Sequence, residues 1–261
     1  MREFNYTHHD DLTVLSARFD EFKYRKHSHE EYAIGVTLTG IQKYWLEGEM
    51  LYSKPGGIML FSPEQLHDGC SGDETGLEYV MTYIPRKLFE KVSGRKDVLK
   101  FSTPIIKDQK LAANIINLTR SIESGKGDML TSELIMNVID RAANSVEKRK
   151  VPRNYKAVRR AVEMMHDSFE APLKLDEICK EVQMSKFHFI RQFKAIKGLS
   201  PYQFFLSCRT EQAKKLLDKG EELYAVMLNC GFYDLSHFNR QFKSVYGLTA
   251  HAYAQLLNKS R

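Results

Sequence analysis

The feature that most constrains this 261-residue sequence is that part of it occurs twice. Phe189-Ile190-Arg191-Gln192-Phe193-Lys194 returns 49 positions later as Phe238-Asn239-Arg240-Gln241-Phe242-Lys243. The same offset carries His188 onto His237, and Gly198-Leu199-Ser200-Pro201 onto Gly247-Leu248-Thr249-Ala250. One residue is inserted upstream, so Val182-Gln183-Met184 answers to Cys230-Gly231-Phe232. Two blocks in register over this length mark a duplicated structural unit, not a coincidence.

Each copy reads as two short helices around a turn. In the first, Leu175, Ile178, Cys179 and Val182 share one helix face, Gln183-Met184 turns, and Ser185 stands where an N-cap belongs. Phe189 and Phe193 are four apart, so both point to the buried side of the next helix, which Gly198 stops. In the second copy Leu223, Val226, Met227 and Cys230 form the first helix, and Gly231-Phe232-Tyr233 turns. Asp234 offers the cap, Phe238 and Phe242 anchor the second helix, and Gly247 ends it. Between the copies, Pro201 to Leu217 is predicted to be a connecting helix with Pro201 in its first turn.

A helix pinned by a buried Phe pair presents its opposite face, and the N-terminal part of that face fits the ~12 Å major groove of DNA. The outward positions are Lys186, Phe187, Ile190, Arg191 and Lys194 in the first copy, and Leu235, Ser236, Asn239, Arg240 and Lys243 in the second. Arg pairs with guanine or phosphate, Asn with adenine, and an apolar side chain with the thymine methyl. The late Lys residues suit phosphates, which position without specifying. Two such helices on one face of a duplex need a separation of roughly 34 Å, which a rigid connector supplies. Charge points the same way. Residues 154–261 hold 17 Lys+Arg against 11 Asp+Glu, the whole net charge of +6, whereas residues 1–153 hold 22 of each. A basic half beside a neutral half assigns the polyanion to the second.

The first ~100 residues have another character. Tyr32 to Leu38, Gln42 to Leu46, Met50 to Tyr52, Ile58 to Phe61 and Leu77 to Ile84 are short apolar runs separated by Gly40, Pro55-Gly56-Gly57 and Pro63. This rhythm predicts an antiparallel barrel or sandwich. After residue 105 the period turns helical: Leu111, Ile115, Leu118 and Ile122, then Leu130, Leu134, Ile135, Val138, Ile139 and Ala142 beyond Gly125-Lys126-Gly127-Asp128. Such a pair either packs on the barrel or carries a dimer seam. Glu147 to Asn154 is polar, basic and Pro-interrupted, as a linker would be.

A composition of 43% hydrophobic and 28% charged residues is globular. No apolar run reaches the ~18–20 residues of a membrane span, and the start lacks a signal-peptide core. Cys70, Cys179, Cys208 and Cys230 show no CxxC pairing, consistent with a reduced, cytoplasmic protein. Phosphate-loop, HExxH, GxSxG and GxGxxG motifs are missing, so no catalytic residue is expected.

Residues ~155–258 resemble the DNA-binding domain of AraC-type transcriptional regulators. The residues carrying the resemblance are Ser185, Phe189, Arg191, Phe193, Lys194, Gly198 and Pro201, then Gly231, Phe232, Ser236, Phe238, Arg240, Phe242, Lys243 and Gly247. Met227 and Ala250 depart from the family's usual Ala and Pro; a larger side chain at a tight helix crossing would tilt the second reading helix, so the resemblance assigns specific reading to the first unit more firmly than to the second. His27-Ser28-His29, Gly40, Pro55-Gly56-Gly57 and Pro63 with His67 follow the order of the cupin-like sensor domains that often precede it. The resemblance implies an α+β multidomain chain. An N-terminal cupin-like antiparallel β-barrel (1–105) carries a helical pair (106–147), and a linker (148–154) leads to an all-α domain with two helix-turn-helix motifs (155–261). It further implies double-stranded DNA, a small-molecule effector and a homodimer, with RNA polymerase as a further partner and no membrane.

His27 and His29, two apart on one strand face, could meet His67 in a three-His metal site. Metal-binding cupins add a Glu four or five residues after the second His, where Ala33 and Ile34 stand here. The expectation is therefore no metal or other cofactor, with His27, His29, Tyr32, Tyr44, Trp45, His67 and Tyr79 lining an effector pocket. A metal-dependent cupin enzyme with a helical accessory domain is the alternative, and a protein-binding adaptor is a third.

Overall fold

The structure is a computed structural model and describes residues 2–95, 98–101, 103–125, 128–145 and 155–259. The linker expected over 148–154 lies outside these residues. Contacts divide the chain into a β-rich unit within residues 1–149 and a helical unit over 150–261, with Tyr24–His27 counting to the latter. Among the described residues, ten strands and three helices come first: β1 (Arg2–His9), β2 (Leu12–Phe19), β3 (Lys23–His27), β4 (Tyr32–Thr39), β5 (Gln42–Leu46), β6 (Glu49–Ser53), β7 (Ile58–Phe61), β8 (His67–Ser71), β9 (Leu77–Ile84), α1 (Arg86–Ser93), β10 (Ile105–Ile106), α2 (Gln109–Ser124) and α3 (Asp128–Ala143). The helical unit holds α4 (Tyr155–Asp167), α5 (Leu175–Glu181), α6 (Lys186–Lys197), α7 (Pro201–Asp218), α8 (Leu223–Asn229), α9 (Leu235–Tyr246) and α10 (Ala250–Lys259).

Two antiparallel sheets make up the β part. One has the order β1-β2-β9-β4-β7-β10 and the other β3-β8-β5-β6. The five runs read from the sequence are β4, β5, β6, β7 and β9. Alternation sorts the side chains of the larger sheet. Val14, Tyr32, Ile34, Val36, Val80 and Ile84 pack in one cluster with Leu111, Ile115, Leu118 and Ile122 of α2 and Leu134, Val138, Ile139 and Ala142 of α3. The helical pair thus packs on this face of the sheet. Each aliphatic side chain so buried contributes roughly 1.5–3 kcal/mol. Leu130, expected in this buried repeat, is instead exposed, as are its neighbours Met129 and Met136 on α3.

The opposite face of the larger sheet meets the smaller one. Thr37 Oγ1 donates to Ser53 Oγ at 2.7 Å, and the Tyr44 and Phe61 rings are 5.2 Å apart. Asp108 starts α2, its carboxylate accepting from the amides of Lys110 and Leu111, and Arg141 of α3 donates to the same carboxylate at 2.6 Å.

In the helical unit each copy of the repeat is a helix-turn-helix, α5–α6 and α8–α9. Both turns need one left-handed residue, and the matched positions provide it: Gln183 (φ 54°) and Gly231 (φ 69°). Gly198 and Gly247, again matched, end α6 and α9 in the same conformation. The connector α7 opens with a capping box, Ser200 with Gln203, and Pro201 in the first turn. In the second copy Ala250 replaces that Pro, and Thr249 Oγ1 accepts from the Ala252 amide to start α10.

Candidate DNA interface and effector site

The two reading helices are built alike from the inside out. Phe189, Phe193, Phe238 and Phe242 are fully buried, so rotation of α6 and α9 about their axes is fixed by packing. Opposite them, Lys186, Phe187, Arg191 and Lys194 are exposed on α6, and Ser236, Arg240 and Lys243 on α9. Phe187 keeps 80% of its surface open, unusual for a large apolar ring on a helix without a covering partner. Ile190, Leu235 and Asn239 are half-buried.

Three expected roles look different at atomic scale. Ser185 occupies the N-cap of α6, but its side chain makes no capping bond, whereas Asp234 caps α9 by accepting from the His237 amide at 2.6 Å. Lys186 Nζ is paired with Asp176 Oδ1 of α5 at 2.8 Å, and this bond raises its pKa. Asn239 Oδ1 accepts from the backbone N of His251 at 3.5 Å, which turns its amide toward α10.

Sequence reasoning missed the residue that joins the two copies. Arg209 of α7 is buried, and its guanidinium donates to the carbonyls of Phe169 and Ala171, ahead of α5, and of Gly231, in the turn before α9. It also lies over the Phe205 ring, 4.6 Å from the centroid. A Cβ on Gly231 would come within 2.5 Å of Arg209 Nη2, so this position needs glycine for space as well as for φ. Gly231 in the turn of the second copy was the visible signal; its distant partner was not.

In the β-rich unit, the expected effector residues divide. His29, His67 and Tyr44 belong to one connected ring cluster, with His29 to His67 centroids 5.3 Å apart. Phe61 stacks on His67 at 4.1 Å and touches Tyr44, while Tyr83 meets His29 edge-on at 5.0 Å. His27, His29 and His67 are all buried. Burial pushes the Tyr44 phenol well above its ordinary value, and it donates to the Pro104 carbonyl at 3.3 Å. Tyr83 is raised too, first by burial and then by Tyr79 and Glu31 nearby. Tyr79 shares the inward face of β9 with Tyr83 and packs on Phe19.

Two residues are not brought to this cluster. Trp45 alternates with Tyr44, so it sits on the other face of β5 and is 38% exposed. Tyr32 points into the helical layer, stacked on Phe89 at 4.0 Å, its hydroxyl accepting from the Leu99 amide. Its pKa is pushed up to about 12 by burial. Phe61 and Tyr83 take their places, and no single-strand pattern announces that, because the meeting depends on how two sheets face each other.

Comparison with known proteins settles the family. A sequence model described as the AraC-like ligand binding domain matches residues 9–139, and one for a helix-turn-helix domain matches residues 178–255. The chain belongs to the AraC-type transcriptional regulators. Among AraC-type relatives, the HTH-type transcriptional regulator YbfI of Bacillus subtilis is 26% identical over 223 residues, covering 82% of this chain and 81% of that protein. The MmsAB operon regulatory protein of Pseudomonas aeruginosa is 38% identical over 92 residues, 35% of this chain and 30% of that protein. The crystal structure of ToxT from Vibrio cholerae superposes with a TM-score of 0.63 at 14% identity, covering 95% of this chain and 99% of that one. The fold is therefore that of a ToxT-like chain, an antiparallel sheet-rich N-terminal domain followed by a helical one. No helix among the described residues is long and apolar enough to cross a membrane.

Proposed function

We propose that the helical unit binds specific sequences in double-stranded DNA through α6 and α9, and that a small molecule bound in the N-terminal unit controls this binding. The observation that carries the reading is the matched pair of reading helices. Each is pinned by two buried Phe rings and exposes an Arg and a Lys at equivalent positions, Arg191 and Lys194 with Arg240 and Lys243. In this reading Arg191 and Arg240 read base edges, Lys194 and Lys243 hold phosphates, and Phe187 and Ile190 meet thymine methyls. Ser236 and Leu235 lie at the same level of the second helix, and Asn239 reaches adenine after leaving His251.

The effector site proposed is the ring cluster of His29, His67, Tyr44, Phe61 and Tyr83, with Tyr79 beside it on the same face of β9 as Tyr83. One ToxT structure carries a bound unsaturated fatty acid, which supports a small-molecule ligand for a chain of this fold. An effector acts only through a difference in affinity between DNA-competent and DNA-incompetent states. We further propose a cytoplasmic homodimer that works with RNA polymerase and has no catalytic activity of its own. The test is a footprint on genomic fragments with excess bulk DNA as competitor. Discrete protected sites are expected, and indifference between any fragment and bulk DNA would sink the reading.

A further inference from the structure

We propose that the helical unit carries a ligand site of its own beside the Arg209 guanidinium, for a small organic monoanion with an aromatic or other planar apolar body. The site lies wholly within the helical unit and stands whether or not the ring cluster of the N-terminal unit takes an effector.

Arg209 is a buried cation without a counter-charge. Only 7% of its surface is open, and among the described residues no carboxylate lies within ion-pair distance of it. Burial lowers its pKa, and the groups that oppose this are Tyr233, Tyr202 and Cys230, all of them neutral at ordinary pH. A charge taken out of water costs free energy unless it is paired or fully hydrogen-bonded. Here the bonds are incomplete. A guanidinium carries five N–H groups, and Nε, Nη1 and Nη2 each give one, to the carbonyls of Phe169, Gly231 and Ala171. One N–H on each Nη nitrogen is left without a protein partner among the described residues.

A cavity of about 440 Å³ opens at this group, within the ~300–1,000 Å³ typical of small-molecule sites. Besides Arg209 it is lined by Leu173 and Leu175 at the entry to α5, by Tyr202 and Phe205 of α7, and by Tyr233 in the turn before α9. Phe205 is buried against the guanidinium, whereas Tyr202 and Tyr233 keep 58% and 82% of their surface open, so both tyrosine rings are accessible to a guest.

These walls select the ligand. One cation calls for one negative charge, and N–H groups of arginine suit a carboxylate. Aliphatic and aromatic walls around a single charge favour an apolar body over a sugar or a polyphosphate, and tyrosine rings stack on a planar one. A bare phosphate, free or in DNA, would leave the apolar walls uncovered. Because Arg209 already ties the segment entering α5 to the turn before α9, an anion seated on it strengthens a contact that both helix-turn-helix units share.

The test uses the full chain, free of DNA, and titrates it calorimetrically with naphthalene-2-carboxylate, then with naphthalene-2-carboxamide and inorganic phosphate. Saturable binding of the carboxylate is expected, with the neutral amide weaker by about 10–100-fold for want of a charge-assisted hydrogen bond. Tyr202→Ala and Tyr233→Ala are each expected to weaken carboxylate binding by about 2–10-fold, the share of one aromatic contact. Tyr224→Ala, at an exposed ring of α8 outside the cavity, is expected to change nothing. Arg209→Ala would also release the three carbonyls, so the exposed-ring variants and the probes decide. Absence of binding, equal binding of carboxylate and amide, phosphate binding as tight as the carboxylate, affinity unchanged in both cavity variants, or an equal loss in Tyr224→Ala would each overturn the proposal.

Discussion

Arg191 is exposed on α6 two residues from the fully buried Phe189, so replacing it should touch recognition and leave packing alone. Arg191→Ala is expected to weaken binding to the preferred site by about 1–3 kcal/mol and to relax one base position, measured by site selection with wild type and variant. An equal loss on random DNA would reduce Arg191 to a phosphate contact. Gly231 offers the contrasting case, a residue with no side chain and a large expected effect. Gly231→Ala is expected to cost about 1–3 kcal/mol from the left-handed backbone alone, with crowding against Arg209 added, read by chemical denaturation. At this scale the sequence was legible where chemistry repeats. The Phe pairs, the ending glycines and the outward Arg residues announced themselves by recurring. Arg209 was not legible, because its three carbonyl partners come from segments 22 to 40 residues away.

Among the elements, α2 and α3 were read from their period, and the sheet they cover was read from its punctuation. β1, β2, β3, β8 and β10 were not singled out as strands; no Gly or Pro punctuates residues 1–34, which hold the first three. The side of β5 that faces inward was misassigned for Trp45, because alternation states that two faces differ and not which one is inside. The tie between α2 and α3 can be tested directly. The Arg141 guanidinium and the amides of Leu111 and Lys110 hold the Asp108 carboxyl below its ordinary value. A folded-state pKa below the unfolded one means stabilisation that is complete above about pH 4 and is lost as pH falls through the lower, folded value. The stability gap between wild type and Asp108→Asn should therefore be constant near neutrality and shrink below pH 4, as followed by urea melts at several pH values. A gap independent of pH would assign the effect to helix capping by either side chain.

For the whole molecule the decisive quantity is how charge is distributed between its halves. All of the excess positive charge lies in residues 154–261, so affinity for DNA should fall steeply with salt while ligand binding by the N-terminal unit should not. Lys194→Ala and Lys243→Ala are each expected to lower the slope of log affinity against log salt by about 1, in fluorescence titrations on specific and unspecific duplexes alike. A variant that changes affinity at one salt without altering the slope would remove that Lys from the phosphate contacts.

The clamp made by Arg209 has a consequence for how this molecule can be re-engineered. Although its two helix-turn-helix units descend from one pattern, they are not interchangeable parts. Grafting the Gln183 turn of the first into the second would drive a side chain into the guanidinium and detach it from the segment entering the first. Swapping recognition surfaces between the copies has to be confined to the outward faces of the reading helices, leaving each turn in its own socket.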